Sequence, residues 1–149
     1  MTSMKIEIYR PGLVKTLRLE KFLYKVNTEF EVPLTNRVDL SNYSDKLATL
    51  AYNIFIVKDR LDIGHSAFYP NFHNSSLFIS SIAVVKTFHR KGLGTILISQ
   101  IEEFAHEYDI RSLKLGAKSN STELDRFYKT NGFQLEEKFI YKKTLELTS

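Results

Sequence analysis

The sequence of 149 residues predicts a mixed α/β fold, in which a mostly antiparallel central sheet contains one parallel strand pair and is flanked by about four helices. Residues 77–85 (LFISSIAVV) form an apolar, β-branched run typical of a strand buried on both faces. A glycine-containing turn, a helical pattern and a strand-like run at 112–117 follow, which predicts parallel strands joined by a crossover helix. The segments 53–58 and 62–69 flank a short polar turn and predict an antiparallel hairpin before the central strand.

The N-terminal third contains one strand-like and two helical segments. Residues 5–9 alternate between apolar and polar side chains and predict a short strand. A helical pattern follows, which Pro33 ends. Its apolar stripe consists of Leu19, Phe22, Leu23, Val26 and Phe30. A second helix is predicted over 41–51, with Asp39 or Ser41 as its N-cap. Its expected buried face consists of Tyr43, Leu47, Leu50 and Ala51.

Helices and strands alternate in the C-terminal half. Residues 93–108 carry apolar side chains at helical spacing, and 120–132 (NSTELDRFYKTNG) predict a further helix that an Asn-Gly pair ends. Asn120 and Glu123 have the form of a capping box at its start. Its expected buried stripe consists of Leu124, Phe127 and Tyr128. The segment 133–147 supplies the last two strands, so the predicted order is βααβββαβαββ.

Composition and charge favour a globular domain that binds an anionic ligand. The net charge is +4, cysteine is absent, and no stretch approaches the ~20 apolar residues of a membrane span. We therefore expect one domain, residues 1–149, in a reducing compartment such as the cytoplasm, with no membrane contact. The four histidines show no metal-ligand spacing, so no metal site is expected. The basic side chains are too dispersed to indicate nucleic acid, although the aromatic content makes a nucleic-acid binder a rival hypothesis.

Residues 86–95 (KTFHRKGLGT) join the central strand to the next helix and have the properties of an anion-binding turn. The first turn of a helix presents unpaired backbone N–H groups and the positive end of the macrodipole. Gly92 and Gly94 lack the side chains that would keep a bulky anion away from these groups. Positive charge is added by Lys86, His89, Arg90 and Lys91. The turn is therefore expected to bind a phosphate or pyrophosphate, and an ordinary βα turn without a ligand is the alternative.

Two common phosphate motifs are absent from this turn. The P-loop string GxxxxGK[ST] does not occur, and Leu97 stands where a dinucleotide fingerprint needs its third glycine. The remaining pattern, residues 89–94 (HRKGLG), resembles the pyrophosphate loop Gln/Arg-x-x-Gly-x-Gly/Ala of the GNAT N-acetyltransferase superfamily. Residues 81–84 (SIAV) resemble the fourth strand of that family. His89 departs from the pattern, but the family contact at that position is largely through backbone amides.

A second motif carries the same resemblance, since residues 127–133 (FYKTNGF) are similar to the FYxxxGF ending of the family's fourth helix. The resemblance implies the GNAT fold, with a splayed parallel strand pair, and transfer of an acetyl group from acetyl-CoA to a primary amine of a small molecule, amino sugar or peptide. It implies that Tyr128 is the general acid that protonates the leaving thiolate. It also implies an oxyanion-stabilising backbone N–H near Val84. The cofactor-binding residues that it implies are Ile82, Ala83, Val84, His89, Arg90, Lys91, Gly92, Leu93, Gly94, Thr95, Asn120 and Ser121.

The sequence does not identify the general base. Many relatives use a Glu on or beside the central strand, whereas residues 77–85 contain no carboxylate. The open alternatives are bulk water, His65, Tyr69, His73 and Ser80 holding a water. The missing carboxylate also supports an alternative from another class, a non-catalytic acyl-CoA-binding sensor or regulatory domain. The acceptor amine and the oligomeric state, monomer or homodimer, are left open.

Overall fold

The computed structural model describes residues 3–27, 33–36, 38–116 and 121–146. Within these ranges, strands and α-helices follow one another in the order that the sequence predicts. The strands are β1 (Met4–Tyr9), β2 (Tyr52–Lys58), β3 (Leu61–Asn71), β4 (Ser76–Val84), β5 (Ser112–Gly116), β6 (Gln134–Glu137) and β7 (Ile140–Thr144). The helices are α1 (Thr16–Lys25), α2 (Leu40–Leu50), α3 (Leu93–Glu107) and α4 (Thr122–Thr130), with short 3-10 turns at Leu34–Asn36 and Lys86–Phe88. None of the described helices is long and apolar enough to cross a membrane.

The strands form one mixed sheet of seven strands with the order β1-β2-β3-β4-β5-β7-β6. β4 and β5 are parallel and the other neighbouring pairs are antiparallel, which confirms the predicted fold class. The parallel ladder runs from Ser76 opposite Ser112 to Ile79 opposite Leu115. Beyond Ile79, β4 continues to Val84 without β5 beside it. We call the gap between these last residues of β4 and the end of β5 the fork.

Helices cover both faces of the sheet. α1 packs on the face that we call the α1/α2 face, where the Phe22 ring lies 5.6 Å from the His65 imidazole of β3. α2 lies beside α1 and reaches the same face through the hydrogen bond between Tyr43 and Ser80. α3 covers the opposite face, which we call the α3/α4 face, and its Phe104 ring lies 5.0 Å from that of Phe68 of β3. The sheet is therefore the middle layer of three.

Side chains of β7 fix α4 beside α3 on the α3/α4 face. Lys143 donates a hydrogen bond of 2.9 Å to Glu102 of α3 and one of 2.8 Å to the backbone carbonyl of Asn131 at the end of α4. Tyr141 donates to Asp125 in the middle of α4 at 2.5 Å. These contacts place the short helix α4, which buries none of its side chains fully, over the C-terminal strands.

A β-bulge at Ser80 reverses the alternation of side chains along β4. Phe68 of β3 pairs with Ile79 and Ala67 pairs with Ser81, so Ser80 is an extra residue without a partner in β3. Successive side chains of a regular strand point to opposite faces, and one extra residue shifts this alternation by one position. The two halves of β4 therefore turn their half-covered side chains to opposite faces of the sheet.

The prediction that β4 is buried on both faces is correct for part of the strand, since Ile79 and Ala83 are buried on opposite faces, and the bulge explains where it fails. Phe78 lies before the bulge on the α1/α2 face and is 44% exposed. Ile82 and Val84 lie after it on the α3/α4 face and are only partly buried. The apolar run of β4 therefore lines two accessible surfaces, one on each side of the fork.

α1 ends earlier than predicted. Its last residue is Lys25, whereas the sequence predicted an end at Pro33. Beyond the helix, the Asn27 side chain accepts a 2.9 Å hydrogen bond from the Thr35 backbone N–H and so fixes the chain where it leaves α1. Phe30, the last member of the predicted stripe, lies outside the described residues.

Local predictions for the other short helices had mixed outcomes. Asp39 is the N-cap of α2, as expected, and its carboxylate accepts from the Asn42 backbone N–H at 3.0 Å. Leu50 and Leu124, predicted to be buried, are 57% and 37% exposed. Leu50 is the last residue of α2, and Leu124 lies in the first turn of α4. Neighbouring elements cover less of a helix at its ends than in its middle.

Candidate active site

The turn after β4 has the geometry of an anion-binding helix start. Gly92 is the N-cap of α3, with φ 78° and ψ 10°, a left-handed conformation that L side chains rarely adopt. The first intrahelical hydrogen bond joins the Ile96 N–H to the Gly92 carbonyl at 3.1 Å. The N–H groups of residues 93–95 (Leu93, Gly94 and Thr95) therefore have no acceptor within the helix and lie at the positive end of its dipole. Arg90 and Lys91 are exposed immediately before them.

The structure gives a reason for the glycine at position 94 that differs from the anion-binding role suggested by its motif. A Cβ atom at this position would lie 2.7 Å from Cζ of Phe127, closer than side chains normally approach. The missing side chain therefore lets α4 pack against the start of α3. Sequence reasoning missed this contact because residues 94 and 127 belong to separate motifs, and only the fold brings them together.

His89 fixes the turn against the end of β4. Its Nε2 atom lies 2.7 Å from the carbonyl oxygen of Val84, a hydrogen-bond distance at which the ring nitrogen is the donor. The side chain that departs from the family pattern therefore has a local structural role. It holds the residues that precede α3 close to the last residue of the central strand.

The edge of β4 that faces the fork carries backbone groups of Ile82 and Val84. The Val85 N–H bonds to the Ile63 carbonyl of β3 at 2.9 Å, and backbone groups alternate sides along a strand. The N–H and C=O groups of Ala83 therefore point to β3, whereas those of Ile82 and Val84 point toward the fork. Of the three predicted β4 residues, these two can pair with an extended ligand, and the Val84 carbonyl already bonds to His89.

Tyr128 lies on α4 within a group of aromatic rings. Its ring centroid is 4.9 Å from that of Tyr141, 5.7 Å from that of Phe127 and 6.3 Å from that of Phe133. Burial raises the pKa of Tyr128 above its usual value of 10.0, so the phenol is protonated at neutral pH. Its hydroxyl has no hydrogen-bond partner among the residues that the structure describes. The side chain therefore combines a packed ring with a proton that is available to a ligand.

Ser121 is the N-cap of α4, and the predicted capping box of Asn120 and Glu123 is not the one that forms. The Ser121 hydroxyl accepts from the Leu124 backbone N–H at 3.2 Å, which places the helix start one residue later than expected. Asn120, a predicted cofactor-binding residue, lies outside the described residues.

A second polar group lies on the α1/α2 face of the fork. The Tyr43 hydroxyl of α2 and the Ser80 hydroxyl of the bulge are 2.9 Å apart. The Tyr69 hydroxyl is buried and has no hydrogen-bond partner in the described part of the chain. Burial and the nearby Tyr43 raise the pKa of Tyr69, so it is a hydrogen-bond donor at neutral pH and a poor proton acceptor. The sequence predicted Tyr43 only as part of the buried face of α2 and not as a site residue, because only packing places α2 over the bulge.

His65 does not fit the role of a general base. It is fully buried on β3, and its Nε2 atom lies 2.8 Å from the Asn53 amide oxygen. Burial, together with the positive charge of Arg18, lowers its pKa from 6.5 to about 3. The imidazole is therefore neutral at physiological pH, has almost no affinity for a proton and serves the packing of the α1/α2 face.

His73 differs from His65 because it is exposed on the loop that joins β3 to β4. It lines an open cavity of about 630 Å³ that lies between the end of β3, the start of β4 and the middle of β5. The described residues contain no group of three or more His, Cys, Asp or Glu side chains that could hold a metal ion.

Comparison with known proteins identifies the family. The family model described as "Acetyltransferase (GNAT) family" matches residues 22–133. This match includes the turn before α3 and the motif at the end of α4. No curated protein sequence matches the chain.

Solved structures of several proteins share the fold at low sequence identity. Tetrahymena Gcn5 superposes with a TM-score of 0.73 and 13% identity, covering 97% of this chain and 98% of the other. PaiA N-acetyltransferase from Thermoplasma acidophilum, in complex with coenzyme A, gives 0.73 and 15%, covering 95% and 99%. A GNAT family acetyltransferase from Elizabethkingia anophelis with acetyl-CoA bound gives 0.68 and 16%, covering 95% and 98%.

Proposed function

Because the chain belongs to the acetyltransferase (GNAT) family, we propose that it transfers an acetyl group from acetyl-CoA to a primary amine of a small molecule, amino sugar or peptide. The observation that carries this proposal is the adjacency of an anion-binding helix start and an edge of β4 that no described strand covers. The turn at Gly92 suits a pyrophosphate, and the edge of β4 at the fork suits an extended chain with amide groups. Acetyl-CoA contains both parts in one molecule.

In this proposal the pyrophosphate binds the free N–H groups of residues 93–95, and Arg90 and Lys91 supply positive charge. The pantetheine amides pair with the backbone groups of Ile82 and Val84 that face the fork. The cofactor thus approaches from the α3/α4 face, where both side chains are only partly buried. The half-buried ring of Phe127 lies on Gly94 and holds α4 beside this path.

The chemistry is direct attack by the acceptor nitrogen on the thioester carbonyl within a ternary complex. The nitrogen must be neutral, so it loses a proton before it attacks. The oxyanion that develops on the carbonyl oxygen is stabilised by the Val84 N–H, which points toward the fork. The nitrogen of the tetrahedral adduct then loses its second proton to solvent. The bond between carbon and sulfur breaks, and the thiolate takes a proton from the Tyr128 hydroxyl. Solvent returns that proton to Tyr128, and the products are the amide and CoA.

The acceptor amine gives up its first proton to solvent in this mechanism. His65 is excluded by its pKa of about 3, and Tyr69 stays protonated because its pKa is raised. The hydroxyls of Tyr43 and Ser80 stand at the fork and can hold a water molecule there. His73 lies on the rim of the neighbouring cavity and is the remaining side-chain candidate. Because solvent accepts this proton, the rate should rise with the fraction of the amine that is neutral.

The second candidate function is a non-catalytic acyl-CoA-binding sensor with the same fold. The specific observation in its favour is that β4 and its bulge carry no carboxylate that could accept the amine proton. Tight binding of acetyl-CoA without CoA release across a broad amine panel would support this candidate.

The first experiment is thermal unfolding with and without acetyl-CoA, with NAD and ATP as control ligands. A ligand at 100 times its Kd adds ~2.7 kcal/mol to the free energy of unfolding, which raises Tm by several degrees. A shift with acetyl-CoA alone supports the cofactor assignment, and no shift contradicts it. CoA release is then followed with a thiol reagent over an amine panel. The chain has no cysteine, so the reagent detects only CoA.

A further inference from the structure

A cavity lies at the start of β4, before the fork, and Tyr69 and Phe78 line it from the α1/α2 face, opposite the proposed path of the cofactor. It has a volume of about 630 Å³ and lies between the end of β3, the loop that follows it, the start of β4 and the middle of β5. Tyr69 and Phe78 come from paired positions of β3 and β4, and Lys114 of β5 is the partner of Phe78 in the parallel ladder. The cavity therefore borders the part of the sheet in which β4 and β5 are still paired.

The position of the cavity suits the body of an acceptor whose amine reaches the fork. The pair of Phe78 and Lys114 is followed by the pair of Ile79 and Leu115, which is the last pair of the ladder among the described residues. Phe78 and Ser80 are two residues apart, a distance of about 7 Å along a strand. A molecule that rests on Phe78 can therefore place an amine at Ser80 on the same face.

The cavity is mainly apolar and contains one polar group that is ready to bind. Phe78 is 44% exposed and presents apolar surface to a ligand. Phe72 is 53% exposed and borders the cavity from the other side, where its ring lies 5.5 Å from that of Tyr108 at the end of α3. Tyr69 lines the same cavity, and its hydroxyl, which is buried at the edge of it, has no hydrogen-bond partner among the described residues. Buried polar groups nearly always have a partner in a complete complex, which marks Tyr69 as a contact for a polar group of the ligand.

The charges around the cavity favour an anionic group over a second cation. None of the described residues that line it is acidic, whereas Lys114 and His73 are basic. Lys114 lies 3.4 Å from Glu136 of β6, and Lys142 of β7 lies 4.0 Å from the same carboxylate. Two ammonium groups thus share one carboxylate, which leaves one positive charge uncompensated beside the apolar surface. A polycationic amine would be repelled there, and a carboxylate would be attracted.

We propose that the acceptor of the acetyl group is an apolar amino acid or a close analogue, with its side chain on Phe78, its carboxylate toward Lys114 and its amine at the fork. This inference rests on the proposed acetyl transfer and names its substrate class. Tyr69 donates a hydrogen bond to the same acceptor. Polyamines and aminoglycosides, which carry several positive charges, are poor acceptors for this site.

The test compares three acceptors at saturating acetyl-CoA: L-phenylalanine, phenethylamine and spermidine. The expected order of kcat/KM is L-phenylalanine, then phenethylamine, then spermidine. Phe78→Ala lowers kcat/KM for L-phenylalanine by about tenfold. Lys114→Gln lowers it by ~2- to 5-fold, because the lysine is partly exposed, and leaves phenethylamine unchanged. Lys21→Gln on the exposed side of α1 is the matched control and changes neither substrate.

Each outcome bears on the acceptor class separately from the transfer reaction. Efficient acetylation of spermidine with weak acetylation of L-phenylalanine overturns the acceptor class and leaves acetyl transfer intact. An equal effect of Lys114→Gln on both aromatic substrates overturns the role of its charge. If no amine is acetylated, the proposed acetyl transfer is refuted, and the role of the cavity is then tested by binding alone. In that case L-phenylalanine should raise the Tm of the CoA complex, and the rise should be smaller for the Phe78→Leu variant. No rise in Tm would overturn the inference.

Discussion

The substitution Gly94→Ala tests whether packing between α3 and α4 sets the active-site geometry. The added Cβ would lie 2.7 Å from Cζ and 3.1 Å from Cε1 of Phe127. Relieving such overpacking costs ~1–3 kcal/mol, and alanine returns up to ~1 kcal/mol as a better helix former. We therefore expect a net loss of ~1 kcal/mol in the free energy of unfolding, which lowers Tm by ~2–4 °C. Because Tyr128 adjoins Phe127, we also expect kcat to fall more than acetyl-CoA binding.

Two companion variants separate this contact from other effects of glycine. Gly92→Ala meets no atom within 4 Å, but its φ of +78° makes an L side chain cost ~1–2 kcal/mol of backbone strain. Phe127→Leu shortens the ring that the new Cβ would meet. The double variant Gly94→Ala with Phe127→Leu should therefore be more stable than the sum of the two single changes by ~1 kcal/mol.

Urea unfolding of the unchanged protein, Gly94→Ala, Phe127→Leu and the double variant gives the coupling free energy between Gly94 and Phe127. CoA release gives kcat for each of these proteins. A coupling energy near zero would refute the reasoning, since it would mean that the Phe127 ring moves aside without cost. Normal kcat in a clearly destabilised Gly94→Ala would show that Tyr128 does not depend on the packing of its neighbour.

Further predictions concern the same site and the core beneath it. Tyr128→Phe should lower kcat by ~100-fold while the Kd of acetyl-CoA changes little, and equal kcat in both proteins would remove Tyr128 from the acid role. Gly92→Glu should abolish the acetyl-CoA-dependent rise in Tm, because a carboxylate would enter the anion site. Because burial raises the pKa of Tyr128 above that of an ordinary tyrosine, the phenol keeps its proton at neutral and mildly alkaline pH, so kcat at saturating substrates should not decline between pH 7 and pH 9. The pKa of His65 is about 3 when folded and 6.5 otherwise, so the unfolded chain binds the proton first. The stability that neutral His65 contributes is complete above pH 6.5 and falls toward pH 3, with ~2–3 kcal/mol lost at pH 4.5. Urea titrations should show that the His65→Gln variant lacks this loss.

The order of elements and the parallel pair could be predicted because each depends on local periodicity. The alternation of residues 5–9 and the helical spacing of 93–108 are properties of contiguous segments. The turn between 85 and 93 also has a local signature, because the left-handed backbone conformation at the N-cap of the helix requires a glycine at that one position. Asp39 capped α2 for the same reason, and its side chain reaches only three residues ahead.

The features that shape the site depend on partners that are distant in sequence. The bulge at Ser80 exists only relative to β3, and an apolar run cannot show which of its residues lacks a partner. Gly94 appeared to serve an anion, whereas its nearest constraint is Phe127, far along the chain. His65 had the unperturbed pKa of a suitable base, and burial on β3 removed it from the role. In each case a residue type was identified correctly and its environment was supplied by the fold.

The bulge gives one strand two different working surfaces. With regular alternation, the half-covered side chains of β4 would all point to one face, and both substrates would compete for that face. Because Ser80 is an extra residue, Phe78 is accessible from the α1/α2 face and Ile82 from the α3/α4 face. The fork lies between them, where β5 has ended and no described strand pairs with the backbone of β4. Two molecules can therefore approach from opposite sides of the sheet and meet at one gap, which is the arrangement that direct transfer in a ternary complex requires.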